Sequence, residues 1–151
     1  MSIEKAIKQK KFTNPYHKII VNITYTASWL MNKQIEILRP LDLSPQQYNV
    51  LRILKGSYPE PMRVQDISER MLDKTSNTSR LIDKLVLKKW VDKKISRDDK
   101  RAVDIVINEA GIELLSRATP LVISLEALLH QVEPEEVEKL SGLLDRMRGG
   151  A

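Results

Sequence analysis

Apolar residues in the first quarter of the chain, Tyr16, Ile19, Ile20, Ile23, Ala27, Leu30, Met31 and Leu38, recur at spacings of three and four. That is the period of a helix with one buried stripe, and it predicts a single long helix over residues 15–39. Pro40 is expected to end it, because proline lacks an amide donor and restricts the residue before it. Ser44, Pro45 and Gln47 restart the chain as a helix, with a capping hydroxyl, a first-turn proline and a glutamine three residues after the cap. Tyr48, Leu51 and Leu54 carry that helix to Gly56, and Pro59 and Pro61 punctuate a loop. Val64, Ile67 and Met71 mark a short third helix; after a tight turn a fourth begins at Ser76, with Leu81, Ile82 and Leu85 inward.

From Trp90 the period falls to two. Val91 and Ile95 alternate with charged residues, then Val103, Ile105 and Ile107 alternate with their neighbours, which predicts a β-hairpin. Its tip, residues 96–101, is charged and has no glycine, so a longer mobile loop is expected rather than a two-residue turn. Asn108 is placed to cap a helix that runs through Ile112, Leu115, Leu121, Leu125, Leu128 and Leu129 to about Gln131, kinked by the internal Pro120. Glu133, Pro134, Glu135 and Glu136 open a last helix with acids at its positive dipole end, and Val137, Leu140, Leu144 and Met147 form its stripe.

Helix, tight turn, helix and charged hairpin over residues 64–107 is the order of a winged helix-turn-helix. The fold class is therefore mainly α with a small β-hairpin wing. A helix fits the DNA major groove, and an extended loop beside it reaches a flanking minor groove. Thr75, Ser76, Asn77, Thr78, Arg80 and Lys84 are the expected outward residues of the fourth helix. They place short hydrogen-bonding groups at its N-terminal end and cations behind them for phosphates.

Charge sharpens this picture. The 151 residues carry a formal +5, yet residues 74–101 alone hold ten basic and four acidic side chains, a net +6. Residues 109–151 hold eight acids against four bases, so one surface is basic and another acidic. Such concentration of positive charge favours a polyanion-binding face.

Zero cysteines exclude disulfides, thiol catalysis, cysteine zinc or iron-sulfur sites and thiol redox sensing. His17 and His130 are isolated from ligand partners at helical spacing, so neither a metal nor a cofactor is expected. No phosphate-binding glycine loop or paired carboxylates suggest an enzyme. The longest apolar runs, such as Ile19 to Val21, are far too short for a membrane span, and Lys5, Lys8, Lys10 and Lys11 precede no secretory h-region. A cytoplasmic protein is expected, without membrane partners.

Asp99-Lys100-Arg101, followed at fixed distance by Ile107-Asn108-Glu109-Ala110-Gly111, resembles the wing signature of MarR-type transcriptional regulators, D-x-R and then L-T-x-x-G. Arg80 to Leu85 resembles the second half of that family's recognition helix, and the element order matches along nearly the whole chain. Leu72 and Lys89 stand where the family often has glycine, and Arg63 and Asn108 where threonine is usual. The resemblance implies that Asp99 braces the wing by pairing with Arg101 or a backbone amide. It implies that Arg101 enters the minor groove, with Arg97 the neighbouring alternative and Lys100 beside them. It further implies one MarR-like domain over 1–151, in which residues 15–39 and 109–147 interlock two chains around the DNA-binding unit 44–107. A homodimeric repressor of double-stranded DNA follows, released by a small aromatic or anionic ligand in a cleft lined by His17, Tyr25, Trp29, Tyr48 and Arg52. The alternative from another class is a winged-helix module whose basic face binds an acidic protein.

Overall fold

The computed structural model of the chain describes residues 1–150. They fall into two compact units, Met1–Pro45 and the remainder from Gln46.

In the first unit a short helix α1, Ile3–Ala6, is tied to the long helix α2, Pro15–Leu38, by an ion pair between Glu4 and Lys18. The start of α2 follows from its sequence: Pro15 occupies the first turn, and the Asn14 side chain accepts the His17 N–H at 3.0 Å. The His17 ring is held locally too, its Nδ1 accepting the Thr13 N–H at 3.3 Å and its edge meeting Phe12. Pro40 does not stop the chain directly. Arg39 keeps right-handed helical angles, the last turn tightens to a 3₁₀ helix over Arg39–Leu41, and the left-handed Asp42 (φ 52°) ends it. Ile3, Leu38 and Leu43 are buried, whereas Tyr16, Ile20, Tyr25, Trp29 and Ile35 on α2 are exposed.

In the second unit α3, Pro45–Ser57, buries Val50, Leu51 and Leu54. A cis peptide joins Tyr58 to Pro59. Met62 then makes two 2.8 Å backbone hydrogen bonds with Ile105, an isolated bridge that the hydrophobic pattern does not reveal. Helix α4, Val64–Arg70, points Ile67 inward, and α5 runs Thr78–Leu87. Strands β1, Val91–Ile95, and β2, Val103–Ile107, pair antiparallel with Val91 opposite Ile107 and Ile95 opposite Val103. Helix α6, Glu109–Ile123, a 3₁₀ segment Ser124–Leu129 and α7, Pro134–Met147, complete the chain.

The core joins Ile67, Met71, Ile82, Leu85, Val91, Ile105, Ile107, Leu114 and Leu115 to the α3 residues. Full burial of each such side chain contributes about 1.5–3 kcal/mol. Two expectations change. Ile95 is 71% exposed, because β1 buries only its first residue before the hairpin leaves the core. The helix after Asn108 is α-helical only to Ile123; one turn beyond Pro120 the backbone tightens to 3₁₀ geometry, so the run to Gln131 is not one helix. No helix is long and apolar enough to cross a membrane, and among the described residues no cluster of three His, Asp or Glu is arranged to hold a metal ion.

Candidate nucleic-acid interface

Between α4 and α5 the chain turns at Leu72, whose N–H donates to Asn49 Oδ1 of α3 at 2.9 Å. That hydrogen bond fixes the corner without the left-handed residue that a glycine would suit, since Leu72 is not among the positive-φ residues; its side chain stays 87% exposed. Asp73 then accepts both the Thr75 hydroxyl (2.6 Å) and the Thr75 N–H (2.9 Å), which holds its carboxyl below the usual carboxylate range. The Thr75 hydroxyl proton is committed to Asp73, leaving its oxygen only as an acceptor.

Helix α5 begins two residues later than the pattern suggests. Asn77 is its N-cap, with Oδ1 accepting the Arg80 N–H at 3.1 Å, so Thr75, Ser76 and Asn77 belong to the turn before it. This start sets the phase of every side chain that follows. Thr78 lies one turn before Ile82 on the buried stripe and is 5% exposed, so it is not an outward residue; its hydroxyl has no hydrogen-bond partner, and neither has the buried Ser76 Oγ. Leu81 is half-buried, while Ile82 and Leu85 face the core as expected. The outward side is Ser79, Arg80, Asp83, Lys84 and Leu87. Thr75, Ser76, Asn77, Arg80 and Lys84 line one open cavity of 340 Å³, together with Gln46, Asp73 and Leu81. Five of the six residues anticipated from the sequence therefore share one concavity; Thr78 is buried outside it, and Ser79 is the exposed hydroxyl beside it in sequence. The buried Ile82 and Leu85, counted back by four and seven, both point to Thr78 and could have identified it.

The far end of α5 closes in a Schellman turn. Lys89 takes the left-handed conformation (φ 63°), its N–H donating to Val86 O at 2.9 Å, and the Trp90 N–H donates to Leu85 O at 3.1 Å. Lysine thus occupies a glycine position at a conformational cost of about 1 kcal/mol. Just beyond, Lys93 of β1 reaches back to Asp83 of α5 at 3.1 Å, an exposed pair joining the wing to the helix.

At the wing tip Asp99 Oδ1 accepts the Arg101 N–H at 2.9 Å, and Asp99 O accepts the Ala102 N–H at 2.9 Å. Of the two braces anticipated, the backbone amide is the one formed. The other carboxylate oxygen of Asp99 lies 3.9 Å from Arg63 Nη1, so the arginine that replaces the usual threonine ahead of α4 faces the wing. It cannot cap α4 by accepting; instead its own N–H donates to Asp66 Oδ2 at 3.3 Å. Ser96 is buried at the base of the loop, its N–H donating to Ala102 O at 3.0 Å. Arg97, Lys100 and Arg101 project into solvent.

The five residues anticipated for an effector divide between the two units: His17, Tyr25 and Trp29 lie on α2, Tyr48 and Arg52 on α3.

The chain is similar to known proteins. Residues 41–102 match the MarR family model. The HTH-type transcriptional regulator MhqR of Bacillus subtilis is 29% identical over 118 residues, 78% of this chain and 78% of MhqR. The fold superposes on Staphylococcus aureus MepR, solved in complex with DNA, with a TM-score of 0.77 at 22% identity, covering 92% of this chain and 98% of MepR. It superposes on the organohalide-sensing regulator RdhR, solved with 2,4-dichlorophenol, with a TM-score of 0.82 at 19% identity over 93% of this chain and 86% of RdhR. With the winged helix-turn-helix formed by α3 to β2 and flanking N- and C-terminal helices, residues 41–102 match the MarR family, and the chain as a whole has the fold of that family of DNA-binding, non-enzymatic transcriptional regulators.

Proposed function

We propose that this protein is a cytoplasmic, homodimeric repressor that binds a specific operator in double-stranded DNA and is released by a small aromatic or anionic ligand. The observation that carries this reading is the outward side of α5, where Arg80 and Lys84 stand beside an open polar concavity, with the exposed Arg97, Lys100 and Arg101 of the wing in the same unit. Arg80 and Lys84 supply groups for base edges and phosphates, and a wing guanidinium suits a narrow A·T minor groove. The DNA-bound MepR structure supports the use of this fold on DNA.

Dimerisation is supported by apolar surface. On α2, Tyr16, Ile20, Tyr25, Trp29 and Ile35 are exposed, and α7 with the segment before it exposes Leu129, Val132, Leu140, Leu143 and Met147. Residues 15–39 and 109–147 of two chains cover these stripes, and the whole of 1–151 acts as one domain. Two-fold symmetry then places two recognition helices on successive major grooves of an inverted repeat. RdhR, solved with a chlorophenol, supports a ligand of that class, and His17, Tyr25, Trp29, Tyr48 and Arg52 are the residues assigned to it. Selection of bound fragments from genomic DNA tests the function. One enriched inverted repeat, bound with a steep salt dependence, is expected; equal retention of all fragments, or salt-independent binding, refutes it.

A further inference from the structure

We propose that Ser79 is a base-reading residue of α5, in the place the residue pattern assigns to Thr78. The inference rests on the operator-binding function above and names a specificity determinant within that same surface. Three neighbouring polar side chains begin the helix, and the structure gives each a different chemical state. Asn77 already uses its carbonyl oxygen to accept the Arg80 N–H, so its side chain is held by the helix cap. Thr78 is 95% buried by its 5% exposure, and its hydroxyl faces protein without a partner. Ser79 is exposed, and among the described residues its hydroxyl makes no hydrogen bond.

The position on the helix is equally informative. Ser79 stands one turn before Asp83, the carboxylate claimed by Lys93 of β1. That places it on the edge of the outward side nearer the wing, next to Arg80 and on the opposite edge from Lys84, which borders the cavity. A helix lying in the major groove approaches bases with its first turn, where a short side chain allows close approach and a rotatable hydroxyl can both donate and accept. The Asp83–Lys93 pair also removes the nearest free carboxylate from competition, since a lone carboxylate there would repel phosphate.

The test is selection from a randomised duplex library by the wild-type protein and by Ser79→Ala, Ser79→Asn and Thr78→Val, with thermal unfolding to verify that each variant is folded. Ser79→Ala should lose about fivefold in preference at one base pair of each half-site, the range of a single hydrogen bond. Ser79→Asn should shift that same base pair toward adenine, whose N6 and N7 suit a bidentate amide. Thr78→Val should select the wild-type sequence. If both Ser79 variants retain the wild-type preference, or if Thr78→Val changes it, the assignment is overturned. If the wild-type protein selects no sequence at all, the operator-binding function itself fails, and the assignment with it.

Discussion

Gly111 lies against the carbonyl oxygen of Trp90 so closely that a Cβ at Gly111 would come within 2.3 Å of it. The same oxygen accepts the Asn108 N–H at 3.2 Å, and Asn108 in turn caps α6 through the Gly111 N–H at 3.0 Å. The Asn108 side-chain amide also donates to Lys89 O at 3.0 Å. The Asn108 and Gly111 positions therefore join three things: the end of α5, the first strand of the hairpin and the start of α6. Gly111→Ala should destabilise the protein by about 1–3 kcal/mol, since the obstacle is backbone and a flexible side chain cannot yield in its place. Urea unfolding of the variant checks this; unchanged stability would mean that the backbone shifts freely there.

Lys89→Gly should have the opposite sign. Glycine relieves the left-handed strain at the Schellman turn, and its greater unfolded-state freedom offsets part of the gain, leaving up to about 0.5 kcal/mol of stabilisation. A lower melting temperature for Lys89→Gly would contradict the geometry of that turn.

On DNA, Arg101→Ala should weaken operator binding by about 1–3 kcal/mol while leaving the fold intact, because its backbone N–H, not its guanidinium, braces Asp99. If Arg97→Ala is the harmful change instead, the minor-groove contact belongs to Arg97. Lys84→Ala should weaken all sequences alike and reduce the salt slope by about one, as loss of a phosphate contact does.

The N-terminal helix should respond to acid. The Lys18 ammonium holds the Glu4 carboxyl well below its ordinary range, at about 2, helped by a backbone hydrogen bond. A carboxylate whose folded pKa is depressed contributes stability that is present above its unfolded value and lost as pH falls through the folded one. Docking of α1 on α2 should thus weaken from about pH 4.5 down to pH 2, the interval between the ordinary and depressed values. Lys18→Met should return the Glu4 titration, followed by NMR, toward the ordinary value; a titration still near pH 2 would remove Lys18 as the cause.

Deleting residues 134–151 removes the exposed Leu140, Leu143 and Met147 together with half-buried Val137 and Leu144. Dimerisation and operator binding should fail together in ultracentrifugation and gel-shift assays. A truncated monomer that still binds the full operator tightly would separate the two.

Much of this protein is written in local sequence. Periods of 3.6 and 2 placed the long N-terminal helix, the helix-turn-helix, the hairpin and the last helix, because one apolar face must repeat at the pitch of its own element. Asn108 and Gly111 were legible as a cap and a wing signature, since a cap is satisfied within three residues. The side on which a hydroxyl falls was not so legible. Thr78 and Ser79 are adjacent and chemically alike, yet α5 starts at Thr78 behind its Asn77 cap and packs Ile82 and Leu85 inward, so one turns to the core and the other to solvent. The Arg63–Asp99 and Asp83–Lys93 pairs, and the bridge from Met62 to Ile105, were beyond any periodic pattern. Each joins residues that only the packing of helices against the hairpin brings together, and no local spacing encodes such a meeting.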